Sequence, residues 1–361
     1  MNKKLLAVAV GAALAASAGI SQADVKVYGV AHVSVDYVDR DMTAPAEVTN
    51  PWNVADNSSR FGIKAKEDLG GGWAGLAQFE IFVNNTEALT TNACTNAACT
   101  TTTAVDNSVT ANRNNFVGIG HKAAGDLLLG RMDSAQKDVG GIADLFFREQ
   151  MGESRAIINY GGADGRTDES VTFNSAKFGP VSFKLQWYAN DSQTNTNNGY
   201  NANVKVALKP VTVGVGYWKT EASAPSENTD GYRLAVKAPI GPVTLAALYQ
   251  QANSIGGTAG ADRSAYGVGV AFKFLDKNTV KAQYYVADAA DNAVTDNGAN
   301  QVSVGYDFAF SKTTVVYATY AKVSNDTAGT FGIGGNGHGE AYAPIAGGEA
   351  STLSFGTRVA F

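Results

Sequence analysis

The sequence predicts an all-β fold, a transmembrane antiparallel β-barrel of about 16 strands with a long third loop folded into the lumen. Apolar and polar residues alternate with period two along most of the chain, as in strands that have one apolar face. Short turns that contain Gly or Pro alternate with long polar loops, which is typical of barrels that cross a membrane. The last segment also alternates, and it ends at Phe361.

The first residues have the pattern of a Sec signal peptide. A basic start precedes an Ala-rich apolar run over residues 5–20, and Ser21 and Ala23 are the small residues expected before a cleavage site. A membrane anchor is the alternative, but the run is short and rich in Ala for a spanning helix. We therefore expect export by Sec, with residues 1–23 removed and residues 24–361 forming the barrel.

Composition narrows the classes of function. The net charge is -5 and the basic residues are dispersed, so a nucleic acid partner is not expected. Charged residues make up 17% of the chain, fewer than in a typical soluble domain. No later stretch approaches the roughly 20 apolar residues of a spanning helix. The composition therefore favours a membrane protein that crosses with strands.

Two cysteines, Cys94 and Cys99, lie in a polar loop rich in Thr and Asn. An exported chain meets oxidising conditions, so these cysteines are candidates for a disulfide that closes a small loop. A metal site is the alternative, but no His, Asp or Glu stands at zinc-ligand spacing. We predict no metal and no cofactor.

The first strand shows the alternation. Its apolar parity is Val25, Val27, Gly29, Ala31, Val33, Val35 and Tyr37. Its other parity is Lys26, Tyr28, Val30, His32, Ser34 and Asp36. An open sheet edge in lipid would leave backbone groups without hydrogen bonds, so spanning strands must close into a barrel. Because side chains cannot fill a barrel of this size, the lumen is expected to hold water.

The connections alternate between two lengths. The short ones are 69–72, 122–125, 178–180, 209–210, 239–242, 275–278 and 310–312. The long ones are 39–57, 84–112, 190–200, 221–229, 252–262, 288–299 and 324–350, together with an irregular segment at 132–167. That last segment is rich in charged residues and is interpreted as the loop that folds into the lumen.

The carboxyl terminus supports the prediction of a barrel. Leu353, Phe355 and Val359 share the parity of Phe361, and the intervening positions are small or polar. An amphipathic strand that ends in Phe resembles the signal read by the barrel-assembly machinery. Phe361 is therefore predicted to be an assembly signal, with that machinery as a partner during biogenesis.

Several stretches resemble Gram-negative general porins. They are SSRFGIKAKEDLGGGW (58–73) with QFE (78–80), RNNFVGIG (113–120), GDLLLGR (125–131) and SVTFNS (170–175). With the signal peptide and Phe361, the resemblance covers the whole chain. One departure is Ala65, where many relatives have Gly.

The resemblance implies a homotrimer of sixteen-stranded barrels in the outer membrane, in contact with lipid and lipopolysaccharide. It implies passive diffusion of ions and small hydrophilic solutes through a water-filled channel. A substrate-selective channel on the same fold remains an alternative. Another alternative is a barrel that acts as an adhesin or receptor through its outer loops.

A basic wall is predicted to face the lumen loop. Parity points Arg60 and Lys64 inward, and the resemblance implies that Arg113 and Arg131 are the matching positions on the fourth and fifth strands. An Arg on the lipid face would cost roughly 2–4 kcal/mol at mid-depth, which favours the inward direction. The predicted loop acids are Asp138, Asp144, Glu149 and Glu153. These arginines could also serve only to hold the loop in place.

A basic wall opposite acids creates a transverse field that admits small polar solutes. A basic constriction favours anions while the acidic chain favours cations, and we lean slightly to anions. The pattern GxGxxG at 332–337 lacks the strand and helix of a dinucleotide site, so it is interpreted as an outer loop. His32, His121 and His338 lie far apart with no catalytic spacing, so an enzyme is not predicted.

Overall fold

A computed structural model of the chain describes residues 23–43, 50–86, 113–147, 149–160, 163–189, 198–222 and 225–361. The signal peptide predicted at residues 1–23 lies outside this range except for Ala23. Cys94 and Cys99 also lie outside it. The signal peptide and the disulfide therefore stay predictions.

The described part of the chain consists mostly of long strands. They are β1 (Asp24–Arg40), β2 (Trp52–Asp56), β3 (Arg60–Gly70), β4 (Trp73–Phe82), β5 (Asn115–His121), β6 (Gly125–Asp133), β7 (Arg166–Ser175), β8 (Val181–Tyr188), β9 (Gly199–Leu208), β10 (Val211–Thr220), β11 (Thr229–Ile240), β12 (Val243–Asn253), β13 (Arg263–Phe274), β14 (Asn278–Ala287), β15 (Ala299–Ala309), β16 (Thr314–Asn325), β17 (Ile333–Gly334), β18 (Ala341–Tyr342) and β19 (Glu349–Ala360). The helices are α1 (Ala135–Ala143) and α2 (Arg155–Ile158), with a 3₁₀ turn at Ile255–Gly257.

The long strands form one closed antiparallel barrel. Strand β19 pairs with β1 from Val30↔Ala360 to Arg40↔Ala350, which joins the last strand to the first. Strands β2 and β3 pair with the two ends of β1, so together they form one interrupted barrel strand. The barrel therefore has 16 strands, which confirms the predicted fold class. Strands β17 and β18 form a separate small hairpin in the last long loop.

The alternation seen in the sequence sorts side chains between lipid and lumen. On β1, Val25 and Val27 are exposed on the outer surface, whereas Ser34 and Asp36 are buried inside. Tyrosines form part of an outer girdle along later strands, with Tyr217 and Tyr232 as direct cross-strand partners. The exposed tyrosines on β9 to β16 are Tyr200, Tyr217, Tyr232, Tyr249, Tyr266, Tyr284, Tyr306 and Tyr320. Such girdles mark the boundary between lipid and water.

The seam of the barrel includes the carboxyl terminus. The Phe361 backbone exchanges two hydrogen bonds with Gly29, at 2.9 and 3.0 Å. A Cβ at residue 29 would lie 2.3 Å from the Phe361 ring, so only glycine leaves the ring its place. The role of Phe361 as an assembly signal stays a prediction.

The loop between β6 and β7, residues 134–165, folds into the barrel. Helix α1 begins after Ser134, whose side chain accepts a hydrogen bond from Lys137 N at 3.0 Å. Apolar loop side chains pack against small residues of the inner wall. The loop contributes Val139, Ala143, Met151, Ile157 and Ile158, and the wall contributes Ala235, Ala246, Ala265, Ala287 and Ala321. The alanines of the wall leave room for the loop.

No helix in the described part of the chain is long and apolar enough to span a membrane.

Candidate pore constriction

A charged cavity of about 290 Å³ lies between the lumen loop and one side of the barrel. We call that side the near wall (β1 and β3–β7). The lining side chains include Ser58, Arg60, Glu80, Arg113, Asn114, Asp133, Lys137, Phe147, Glu149, Arg155 and Arg166. The remaining lining residues, Asn336 and Gly337, come from the last long loop. Five cationic side chains therefore face three carboxylates in this cavity.

Glu149 holds the loop to the seam of the barrel. Its Oε1 lies 2.7 Å from Arg60 Nη1, and its Oε2 lies 3.7 Å from both His32 Nδ1 and Arg358 Nε. Burial alone would raise the pKa of Glu149, but the nearby His32 ring and the hydrogen-bonded charge of Arg60 outweigh it and hold the pKa at about 2. The carboxylate is therefore ionised across the physiological range.

Arg113 is paired with an acid of the wall itself. Its Nε lies 2.7 Å from Glu80 Oε1, while Tyr28 OH donates to Glu80 Oε2 at 2.8 Å. The Asn115 side chain hydrogen-bonds both the N–H and the C=O of Glu80, at 3.0 Å each. These contacts fix the Arg113–Glu80 pair at the cavity surface.

Two cations share one acid at the base of the loop. Asp133 Oδ1 lies 2.6 Å from Lys137 Nζ and 3.1 Å from Arg166 Nε. Burial lowers the pKa of Lys137 to about 8, although the charge of Asp133 opposes this shift. Lys137 therefore carries its positive charge at neutral pH and loses it in mildly alkaline solution.

The last long loop, residues 326–348, also enters the lumen. Ser58 Oγ donates to Gly337 O at 2.7 Å, and Gly337 N donates to Glu153 Oε1 at 3.1 Å. Behind this contact, His338 Nε2 lies 2.9 Å from Asp36 Oδ2, with both side chains fully buried. The sequence predicted only an outer loop at 332–337. The loop turns inward because of contacts between residues that are distant in the chain. In the sequence, a single histidine in a Gly-rich loop, His338, was the one residue that pointed to such a contact.

The predicted basic wall is only partly assembled around the cavity. Arg60 and Arg113 line it. Lys64 lies farther along β3 toward Gly70, with Nζ 4.6 Å from the centre of the Tyr28 ring. Arg131 is not among the lining residues and forms an ion pair with Asp168. The register of β6 with β7 shifts between Gly130 and Met132, next to Arg131, and the ion pair with Asp168 offsets the cost that was expected to turn this arginine inward.

The predicted loop acids have different surroundings. Glu149 lines the cavity, and Glu153 is buried against Arg155, with Oε2 2.6 Å from Arg155 Nε. Asp138 faces Lys184 at 2.8 Å, away from Arg60. Asp144 accepts a hydrogen bond from Phe146 N at 2.8 Å, so it shapes the loop backbone.

Several lining residues were not selected from the sequence. Glu80 is the last residue of the QFE segment on β4. It was not selected because the prediction placed cations on the wall and acids only in the loop. Lys137, Arg155 and Arg166 are cations on or beside the loop. Arg155 was recognised as a charged residue of the loop, but only acids of the loop were selected as site residues. Applying the same criterion to the cations of residues 132–167 would have added all three.

The buried residues Ser34, Asp36 and His338 come together, but not as a catalytic triad. Asp36 Oδ2 and Ser34 Oγ both lie near the same His338 nitrogen, Nε2, at 2.9 and 3.5 Å. A triad needs the serine and the acid on opposite ring nitrogens. The cluster instead joins the last loop to β1.

A closed barrel around a charged, partly open lumen defines a membrane channel of the outer-membrane type. The chain belongs to the Gram-negative porin family, whose profile matches residues 7–328. It is therefore an outer-membrane channel for passive diffusion, in a family of channels rather than of enzymes.

Individual relatives agree with this assignment. The outer membrane porin protein 32 of Delftia acidovorans is 26% identical over 384 residues, covering 100% of both chains. The anion-selective porin from Comamonas acidovorans has a similar fold, with a TM-score of 0.77 at 22% identity over 94% of this chain and 100% of that one. The trimer form of OmpT from Vibrio cholerae gives a TM-score of 0.70 at 17% identity over 94% and 99%.

Proposed function

We propose that this channel prefers anions, and that the cavity around Arg60 and Arg113 is its constriction. The observation that carries the proposal is that five cations and three carboxylates line one narrow cavity, with Glu153 behind Arg155 as a fourth acid. The chain as a whole is acidic, so the local balance of charge has the opposite sign to the total. The name of the anion-selective porin from Comamonas acidovorans supports the same direction.

The physical basis is the field inside a narrow, water-filled passage. Low-dielectric walls focus field lines, so a small local excess of charge acts strongly on passing ions. Glu149 and Glu80 each neutralise one arginine, and Asp133 is shared between Lys137 and Arg166. Two cations therefore lie against the one carboxylate of Asp133, which favours entry of anions.

The test is the reversal potential of the purified protein in a planar bilayer under a KCl gradient. We expect the wild-type potential to have the sign for chloride, and Arg60→Gln with Arg113→Gln to move it toward zero. Lys312→Gln is the matched control, because Lys312 lies in a short turn far from the cavity. A wild-type potential with the sign for potassium would contradict the proposal.

We further propose that the chain forms a homotrimer through the outer surface of β3–β6. That surface has an apolar groove of about 530 Å³. The groove includes the small residues Ala65, Gly75 and Ala77 beside Val117 and Ile119. No tyrosine lines the groove, unlike the girdle on β9–β16. The trimer form of OmpT supports a second copy as the occupant.

Ala77→Phe tests this interface by filling the groove. We expect the trimer band on an unheated gel to shift to monomer at a lower temperature than in the wild type. Ala247→Phe places the same bulk on the outer surface of β12 and serves as the control. Equal behaviour of the two variants would argue against this face.

A further inference from the structure

A second basic cavity lies in the lumen next to the half of β3 that ends at Gly70. It has a volume of about 370 Å³, and its lining includes Lys26, Lys64 and Lys66. These residues have inward parity on β1 and β3, and we call the three of them the lysine station. Lys64 and Lys66 stand two residues apart on one face of β3, about 7 Å along the strand. Arg60, in the constriction, is on the same face of the same strand.

The register brings two of these lysines directly together. Lys26 and Lys64 are cross-strand partners, and Asp24 and Lys66 are partners at the next inward position. Partners in such a pair have Cα atoms about 5 Å apart, and like charges directly opposite each other destabilise a sheet. The Lys26–Lys64 pair is therefore unfavourable for the barrel alone, and an anion between the two ammonium groups would relieve the repulsion.

Carboxylates of the protein neutralise the charges of these lysines only weakly. Lys26 Nζ lies 3.5 Å from Asp24, but the two side chains are 73% and 66% exposed. In the described part of the chain, Lys64 and Lys66 have no carboxylate within 4.0 Å. Asp126 also lines the cavity, so three cations stand against two acids.

Tyr28 separates the lysine station from the constriction. The register places it opposite Gly62, where a Cβ would lie 2.4 Å from the Tyr28 ring, so the ring crosses the inner surface of β3 at this level. Its hydroxyl donates to Glu80, which belongs to the constriction, and its ring contacts Lys64 Nζ. The Lys64 ammonium group is thereby held beside the Tyr28 ring and is not neutralised by a carboxylate.

We propose that the lysine station is a binding site for small divalent oxyanions, such as dicarboxylates. Two ammonium groups on adjacent strands match two anionic groups of one solute, and a neutral amide, Gln78, lies opposite Lys64 on β4. Ammonium groups are mobile point charges that bind without a fixed geometry, so binding stays weak enough for release. The site rests on the proposed anion preference, since solutes must pass the constriction to cross the channel.

Succinate is the probe, and block of the chloride current in a planar bilayer is the readout. We expect succinate, added to either side, to reduce the wild-type chloride conductance with saturation. Lys26→Gln with Lys64→Gln should raise the half-blocking concentration by about tenfold, the factor for two exposed charge contacts. Lys64→Arg keeps the charge and should retain most of the block.

Lys312→Gln removes one charge at the same end of the barrel and is the matched control. A wild-type-like conductance before succinate is added shows that each variant is folded. Equal block of the wild type and the double variant would overturn the lysine station, as would an equal loss of block in Lys312→Gln. A wild-type reversal potential without the sign for chloride would instead overturn the proposed anion preference. Failure of the lysine station and failure of the anion preference are therefore distinguishable.

Discussion

Two sides of the same inner wall carry similar cations but use them differently. On the near wall, Arg60 and Arg113 are partly exposed and border open space. On the opposite side, which we call the far wall (β9–β15), Arg233 and Lys281 are buried beneath the lumen loop. Inward parity predicts that a side chain faces the lumen, but it does not predict whether water or loop covers it.

The far wall holds the loop with buried pairs. Arg233 Nη2 lies 2.5 Å from Asp164 Oδ2 with both side chains fully buried, and Arg233 Nη1 donates to Gln136 O at 2.9 Å. Lys281 Nζ lies 2.7 Å from both Asp307 Oδ2 and Gln150 Oε1. These cations satisfy the polar groups of the loop and leave no open surface for solutes. Cations of the near wall act on solutes because the loop does not cover them.

The largest expected effect comes from breaking the anchor of the far wall. Asp164→Asn leaves Arg233 buried without its carboxylate, which costs about 3–5 kcal/mol when such a pair loses one member. We expect a lower unfolding temperature and a noisier single-channel current, measured by gel shift and in planar bilayers.

The control for this prediction is Lys322→Gln. Lys322 pairs with Glu349 at 2.7 Å, but both side chains are substantially exposed, so the loss should be at most about 1 kcal/mol. If Asp164→Asn behaved like Lys322→Gln, the buried pair would not be what holds the loop.

A smaller effect is expected at Glu149, where the loop meets the near wall. Glu149→Gln removes charged contacts to Arg60 and Arg358 and should cost about 1.5–3 kcal/mol. Because it also removes a carboxylate from the cavity, the reversal potential should shift further toward anions.

Acid pH gives an independent check on Glu149. Its pKa in the folded protein, about 2, is below the ordinary value of 4.5, so its stabilising contribution is complete above pH 4.5. That contribution is lost as the pH falls toward 2. The difference in unfolding temperature between the wild type and Glu149→Gln should therefore be constant down to pH 4.5 and disappear below it. A difference that disappears near pH 6 would contradict this account.

The smallest expected effect concerns Lys137. Because its pKa is lowered to about 8, it loses its charge between pH 7 and 9. The preference for anions should then weaken, by less than about twofold, since four of the five cations remain charged. Lys137→Met should weaken the preference at pH 7 and remove most of its change with pH, measured by reversal potential. A preference that strengthens as the pH rises would exclude this role for Lys137.

The barrel could be predicted from the sequence because its rule is local. Period-two alternation places Val25 outside and Asp36 inside without reference to any distant residue. The closure of β1 onto β19 followed from the cost of an open edge in lipid. Turn and loop lengths gave the strand count, although β2 lies within residues 39–57, which were predicted to be a loop.

The constriction could be predicted only in part, because its contacts join residues far apart in the chain. Arg60 and Glu149 were both selected, but Asp138 meets Lys184 and Arg131 meets Asp168. The path of a loop without repeating pattern depends on packing, here on the alanines of the wall. Alternation along single strands carries no information about that packing.

The seam between β1 and β19 also makes the barrel depend on one pairing between strands that lie far apart in the chain. Strand β19 pairs with β16 on its other side, so a sheet without β19 would keep two unpaired edges, at β1 and β16. Each strand from β3 to β16 pairs with its neighbours in sequence, but the wall is sealed only when β19 reaches β1.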